Sequence, residues 1–199
     1  MDRITETFFN SGQSYDEMLA EASENQRMKF ELNFQRGQKN FGDESFVMDL
    51  EYSLNIIAVG APWCFDCKMY LPILELLVRS NPRLRVRYFN KDHYPFLCER
   101  MNGGEKIPQI LIYAPDYVYV ARWIERPTLT SQLISSIRRD LGWERSVQEQ
   151  YNIIYHRALL KDLKAFQAAF LQEIKTLLIR TNVVLGTTKR FYVATVQEK

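Results

Sequence analysis

The feature that most constrains the fold is a short apolar run that ends just before two closely spaced cysteines. Residues 54–59 are uncharged and rich in β-branched side chains, which is typical of a buried strand. Cys64 and Cys67 follow, and the pattern over about 64–80 predicts a helix that contains Pro72. A buried strand followed directly by a helix is typical of α/β domains, so we expect an α/β domain with both sulfurs at a helix N-terminus.

The remaining patterns complete an element order of β-α-β-α-β-β-α. Strands joined by a helix are expected to pair in parallel, whereas strands joined by a tight turn pair antiparallel. We therefore predict a four-stranded mixed sheet flanked by helices. The further predicted elements are a strand at 83–88, a short helix at 94–101, two hairpin strands at 109–113 and 117–123, and a helix at 128–141.

The N-terminal segment, residues 1–51, is expected to be helical. Ser14 and Glu17 have the spacing of a capping box and predict a helix from Ser14 to about residue 36. Alternating apolar residues at 30–34 resemble a strand instead, but we favour the helix. A short helix is predicted at 43–51.

The C-terminal segment, residues 145–199, is expected to be a helical extension. Its apolar residues recur near period 3.6, which predicts one or two amphipathic helices. These helices either pack on their own domain or bind a partner, and we favour a homodimer. The tail at 190–197 is interpreted as a strand or as disordered. Residues 52–144 then form the central domain.

Composition excludes several classes of function. The net charge is +2, so no strong field attracts nucleic acid or a membrane. The first residues do not resemble a secretory signal, and no apolar run reaches the roughly 18 residues of a membrane span. We expect a cytoplasmic protein. In that compartment, a close cysteine pair indicates catalysis or metal binding rather than a structural disulfide.

The predicted position of the cysteines suits dithiol–disulfide exchange. A helix N-terminus stabilises a thiolate, so Cys64 would attack a disulfide and Cys67, one turn inside, would resolve the mixed disulfide. Two alternatives stay open: the pair is inert, or it binds zinc together with His93 and Cys98. Cys98 is interpreted as a small buried apolar residue.

These motifs together resemble the active-site segment of thioredoxins. The likeness depends on Trp63 before the Cys-x-x-Cys, the following Lys68, Pro72 eight residues after Cys64, and Ile107-Pro108 before the hairpin strand. It covers roughly residues 52–142, and W-C-x-D-C after a helical segment also resembles a bacterial branch of thioredoxin-like proteins. The resemblance implies a thioredoxin-like fold, a cis peptide bond at Pro108 and a substrate groove. The groove residues would be Trp63, Phe65, Asp66, Ile107 and Pro108.

The chain departs from the thioredoxin pattern at several positions. Ala58 stands where thioredoxins have a buried Asp, and the glycine near the end of the last strand is replaced within residues 124–127. Asp66 places a carboxylate beside both sulfurs and should oppose thiolate formation. We expect a less acidic Cys64 than in oxidising members, with water or Glu105 as proton acceptor. The usual first strand is also absent, which would put the strand from residue 84 at an edge.

The sequence thus predicts a thiol–disulfide oxidoreductase with Cys64 and Cys67 as catalytic residues. The expected substrates are disulfide-containing proteins or small thiols, and a thiol or disulfide reductase would supply electrons. No cofactor, metal, nucleic acid or membrane is expected to take part. The alternative is a redox-inactive adaptor that uses the thioredoxin fold and the C-terminal helices for protein interaction.

Overall fold

The secondary structure follows the predicted element order, with further helices at both ends of the chain. A computed structural model describes residues 3–99, 104 and 106–197, with side chains to residue 188 except at 44 and 99. The helices are α1 (Glu6–Asn10), α2 (Tyr15–Ala20), α3 (Glu24–Phe41), α4 (Phe65–Arg79), α5 (Pro95–Glu99), α6 (Thr128–Leu141), α7 (Gln148–Lys161) and α8 (Leu163–Gln197). The strands are β1 (Leu54–Gly60), β2 (Leu84–Asn90), β3 (Gln109–Tyr113) and β4 (Tyr119–Ile124).

The four strands form one mixed sheet in the order β2-β1-β3-β4. Strand β1 pairs in parallel with β2 and antiparallel with β3, and β3 pairs antiparallel with β4. All seven residues of β1 are buried, as expected from their apolar sequence. The prediction of parallel pairing for helix-joined strands is correct for β1 and β2. It is wrong for β2 and β3, which are joined through α5 but do not pair, because β1 lies between them.

Strand β2 lies at an edge of the sheet, as expected from the missing first strand. The N-terminal segment covers part of this edge. Gln13 and Tyr88 exchange two backbone hydrogen bonds, at 2.9 and 2.8 Å. Paired backbone groups are unavailable to another chain, so this bridge and the exposed Arg85 both discourage edge-to-edge association.

The long N-terminal helix is two helices rather than one. The predicted capping box at Ser14 and Glu17 is present and begins α2. A second capping box, formed by Ser23 and Gln26, begins α3 and interrupts the helix expected to continue from Ser14. The alternating residues at 30–34 lie within α3, so the helical interpretation is confirmed.

Two other local predictions need correction, and a third is tested only in part. The segment 43–51 contains only a 3-10 turn, Asp43–Phe46, and residues 47–51 belong to no helix or strand. The tail at 190–197 is not a strand, because α8 continues to Gln197. Helix α5 ends at Glu99, and the rest of the helix predicted at 94–101 lies outside the described residues.

The C-terminal extension packs on the rest of the chain. Helix α8 contacts α3, α4, α6 and β4. Phe170 of α8 is fully buried and stacks on Tyr70 of α4, with ring centroids 5.1 Å apart, and it meets Trp123 of β4 edge-to-face at 4.9 Å. One apolar core therefore includes side chains from all three sequence segments. Among the helices of the described part of the chain, none combines the length and apolarity needed to cross a membrane.

Candidate active site

Cys64 occupies the N-cap of α4, where the chain leaves β1. Its Sγ accepts a hydrogen bond from the Cys67 backbone N–H at 3.4 Å, which satisfies one of the free donors of the first helical turn. The same sulfur lies 3.6 Å from the carbonyl oxygen of Ile107. The peptide bond between Ile107 and Pro108 is cis. The structure thus brings Cys64 into direct contact with the Ile107-Pro108 segment, although Ile107 lies 43 positions further along the chain.

Cys67 lies behind Cys64 and is fully buried, whereas Cys64 keeps 9% of its surface exposed. Gly60, the last residue of β1, makes this placement possible. A Cβ atom at Gly60 would lie 2.9 Å from Leu71 Cδ1 and 3.1 Å from Cys67 Sγ, closer than side chains normally allow. Both cysteines are reduced in the structure. The arrangement leaves Cys64 as the sulfur that a substrate can reach.

The two thiols differ in acidity for identifiable reasons. The pKa of Cys64 lies below its usual value, chiefly because the Cys67 thiol donates a hydrogen bond to its sulfur, while burial and the Asp66 carboxylate oppose this effect. The pKa of Cys67 lies well above its usual value because the side chain is completely desolvated and faces Cys64. One thiolate and one thiol side by side is the protonation state that dithiol–disulfide exchange needs.

This difference predicts a selective reaction with iodoacetamide. Only the thiolate reacts, and its fraction rises with pH through the pKa. Because the pKa of Cys64 is lowered, we expect its alkylation to reach half its maximum rate below about pH 8.5, the usual thiol value. Mass spectrometry of the modified protein across a pH series measures this midpoint.

The Cys64→Ser variant serves as the control for the alkylation series, since only the buried Cys67 and Cys98 remain. A midpoint at or above about pH 8.5 would contradict the lowered pKa. A midpoint below about pH 6 would contradict the opposing effect expected from Asp66.

Asp66, between the cysteines, is buried and held by two partners from other elements. Its Oδ2 accepts a hydrogen bond from Arg126 Nε at 2.9 Å, and its Oδ1 accepts one from the Tyr155 hydroxyl at 2.9 Å. Burial raises the pKa of the Asp66 carboxyl, and this effect outweighs the opposing effects of Arg126 and Tyr155. At 5% exposure, Asp66 lies beneath the surface on which a substrate groove was predicted.

The other predicted groove residues have different degrees of exposure. Trp63 is 52% exposed and donates from Nε1 to Asp92 Oδ2 at 2.8 Å, so its ring offers a contact surface beside Cys64. Ile107 and Pro108 are buried at the sulfur. Phe65 is half-buried, because its ring stacks on His156 of α7 with centroids 4.2 Å apart.

The structure gives no support to a metal centre at the cysteines. Within residues 3–99, 104 and 106–197, no three His, Cys, Asp or Glu side chains converge in a group that could hold a metal ion. Cys98 is buried in α5, as predicted for a small apolar residue. Glu105, considered as a proton acceptor, lies outside the described residues.

Sequence analysis did not identify Arg126, Tyr155 or His156 as site residues. Arg126 was noted only as part of the segment that replaces a glycine, and Tyr155 as one member of the apolar stripe of the C-terminal helix. One signal was present in the sequence. A carboxylate placed in the first turn after a buried strand needs a hydrogen-bond donor if it is buried.

The fold and the site together define a thioredoxin-like protein. The sheet order, the Cys-x-x-Cys pair at the start of α4 and the proline segment against the first sulfur are the features of that class. The family model Thioredoxin_9, described as thioredoxin, matches residues 12–138. The chain therefore belongs to this thioredoxin family, and the match extends the resemblance beyond residues 52–142 into the N-terminal helices.

Comparison with solved structures supports the fold. A protein of unknown function from Pseudomonas aeruginosa, PA1234, matches with 17% identity and a TM-score of 0.57, covering 83% of this chain and 95% of its own. An HIV epitope scaffold matches with 17% identity and a TM-score of 0.56, covering 84% and 96%. These matches extend beyond the central domain into the terminal helices. At this identity they show the fold alone. A search of curated proteins found no match.

Proposed function

We propose that the protein is a thiol–disulfide oxidoreductase that works through Cys64 and Cys67. The observation that carries this proposal is the state of Cys64. Its sulfur lies at a helix N-cap and accepts a hydrogen bond from the Cys67 N–H, and the residue as a whole keeps 9% of its surface exposed next to Trp63. Each of these features favours a thiolate that a substrate can approach.

The reaction proceeds by two exchanges. The Cys64 thiolate attacks one sulfur of a substrate disulfide, and the other substrate sulfur leaves as a thiolate. The Cys67 thiol then loses its proton to water and attacks Cys64 Sγ, which releases the second substrate thiolate and forms the Cys64–Cys67 disulfide. The substrate gains two electrons from the protein, and a cellular reductase or small thiol later supplies two further electrons that reduce the Cys64–Cys67 disulfide.

The substrate would bind over Cys64, between Trp63 and the Ile107-Pro108 segment. The exposed indole of Trp63 supplies apolar contact. Disulfide-containing proteins and small disulfides both fit this role, because the reaction needs only an accessible sulfur–sulfur bond. Phe65 and Asp66 act from beneath this surface rather than on it, since α7 and Arg126 cover them.

A redox titration tests the proposal. We expect the fraction of Cys64–Cys67 disulfide to follow a single two-electron transition when the protein equilibrates with dithiothreitol buffers of graded potential. Mass spectrometry after thiol alkylation measures the fraction. A pair that stays reduced at every potential, or that oxidises without a defined midpoint, would reject the function.

The alternative, an adaptor that uses its C-terminal helices, has less support. The apolar residues of α8 that would meet a partner helix, such as Phe170, Ile174 and Leu178, are buried against the protein's own domain. Self-association remains a prediction. Sedimentation over a range of protein concentrations tests it, and we would expect a dimer to use the exposed Val183 and Val184 further along α8.

A further inference from the structure

The C-terminal extension meets the candidate active site at a buried polar cluster as well as at the Phe65 ring. Tyr155 of α7 donates from its hydroxyl to Asp66, the residue between the cysteines, and Arg126 donates to the other oxygen of the same carboxylate. The Arg126 guanidinium also lies over the Tyr155 ring, 5.3 Å from its centroid. Each of the three side chains therefore contacts the other two, and they come from three separate elements.

The same cluster continues to the proline segment on the other side of Cys64. Arg126 pairs with Glu125 at 2.7 Å, and Glu125 pairs with Lys106 at 3.2 Å. Glu125 has a φ of 66°, a left-handed conformation that glycine normally adopts, and its N–H donates to the Pro108 carbonyl at 2.7 Å. A chain of polar contacts thus links α7, the inter-cysteine residue and the segment that faces the sulfur.

A buried carboxylate beside a thiolate is unfavourable unless its charge is compensated. Asp66 is 5% exposed, and its charge disfavours ionisation of both Cys64 and Cys67. Arg126 supplies the compensating charge, and Tyr155 supplies a hydrogen bond that stabilises the ionised carboxylate. Both donors act on the sulfurs through Asp66, because neither is hydrogen-bonded to a cysteine in the described residues.

We propose that Tyr155 and Arg126 are positioning residues that hold the Asp66 carboxylate beside the cysteine pair, which makes helix α7 of the C-terminal extension an integral part of the active site. The inference rests on the proposed function, since it assigns a role at the same site. Other ionisable or charged groups also face this cluster: Lys68 and Tyr70 from α4, Glu125 from the loop after β4, and Tyr151 and His156 from α7.

The alkylation rate of Cys64 at acidic pH tests the inference, because it depends on the thiolate fraction. Asp66→Asn removes the opposing charge and leaves Arg126, so we expect the rate to rise about tenfold. Tyr155→Phe removes one hydrogen bond that stabilises the ionised Asp66 carboxylate. Asp66 is then neutral in a larger fraction of molecules, and neutral Asp66 does not oppose ionisation of Cys64. We expect a smaller rise in the same direction, about threefold.

The double variant Asp66→Asn/Tyr155→Phe discriminates a positioning role from a general structural one. If Tyr155 acts through Asp66, the double variant should match Asp66→Asn alone. Tyr151→Phe is the matched control, because Tyr151 lies one turn earlier in α7 and stacks on Tyr155 with centroids 5.7 Å apart, but its hydroxyl does not bond Asp66. We expect its rate to equal that of the wild type.

Three results would overturn the inference. The alkylation rate of Tyr155→Phe could equal that of the wild type, or Tyr151→Phe could change the rate as much as Tyr155→Phe does. The rate increase in the double variant could also equal the product of the two single-variant increases, which would mean that Tyr155 acts independently of Asp66. A thermal unfolding curve for each variant checks that the variant is folded at the temperature of the alkylation assay. Alkylation reports thiolate formation whether or not the protein reduces a disulfide. The expected rates combined with a failed redox titration would therefore reject the proposed function and retain this inference.

Discussion

Replacing Cys64 with serine is expected to abolish disulfide reduction by this protein. Serine fills nearly the same space at the N-cap of α4, so the fold should persist. Its hydroxyl, however, does not ionise near neutral pH and cannot attack a disulfide sulfur. The turbidity that follows reduction of insulin, with dithiothreitol as the electron source, measures the activity. We expect the variant to match the reaction without protein.

Cys67→Ser should fail at the second exchange instead of the first. The Cys64 thiolate can still attack, but no second thiol is present to release the substrate, so a mixed disulfide accumulates. Non-reducing mass spectrometry would show the added mass of a bound thiol. Cys98→Ala is the matched control, because Cys98 is buried in α5 outside this site, and it should retain activity. Insulin reduction that is unchanged in both Cys64→Ser and Cys67→Ser would end the proposal of catalysis.

Phe170→Ala is expected to reduce the free energy of unfolding by about 3–5 kcal/mol, the usual cost of removing a fully buried phenylalanine. The ring stacks on Tyr70 at 5.1 Å and meets Trp123 edge-to-face at 4.9 Å. Those two residues belong to α4 and β4, so the cavity would open where the extension meets the central domain. Urea unfolding followed by circular dichroism measures the change.

Ile179→Ala, on the same helix, is the control for this stability prediction. Its side chain is 43% exposed, so its truncation removes far less buried surface and should cost below about 1 kcal/mol. A similar small effect for Phe170→Ala would mean that α8 is not integral to the fold. A separate early unfolding transition in the wild type would also indicate that the extension unfolds on its own.

Local patterns were sufficient for the order of elements between residues 54 and 141 and for the position of the cysteine pair. The apolar run of β1, the capping box at Ser14 and the cysteine spacing each depend on residues within one or two turns of one another. The break between α2 and α3 also had a local signal, the Ser23 to Gln26 capping box, but the helical periodicity on both sides obscured it. Propensity alone could not decide the 43–51 segment, because its backbone bonds to distant residues: the Met48 carbonyl accepts from Asn81 at 2.9 Å, and the Glu51 N–H donates to Asn182 at 2.7 Å.

The hydrogen-bond partners of Asp66, in contrast, could not be predicted from local sequence patterns. The sequence alone determined that a carboxylate stands between two cysteines at a helix start. Only the tertiary structure decided that this carboxylate is buried under Arg126 and Tyr155, the latter 89 positions away. The physical reason is that periodicity specifies which face of α7 is apolar, whereas the packing of that face against α6 and α8 determines which side chain reaches the site.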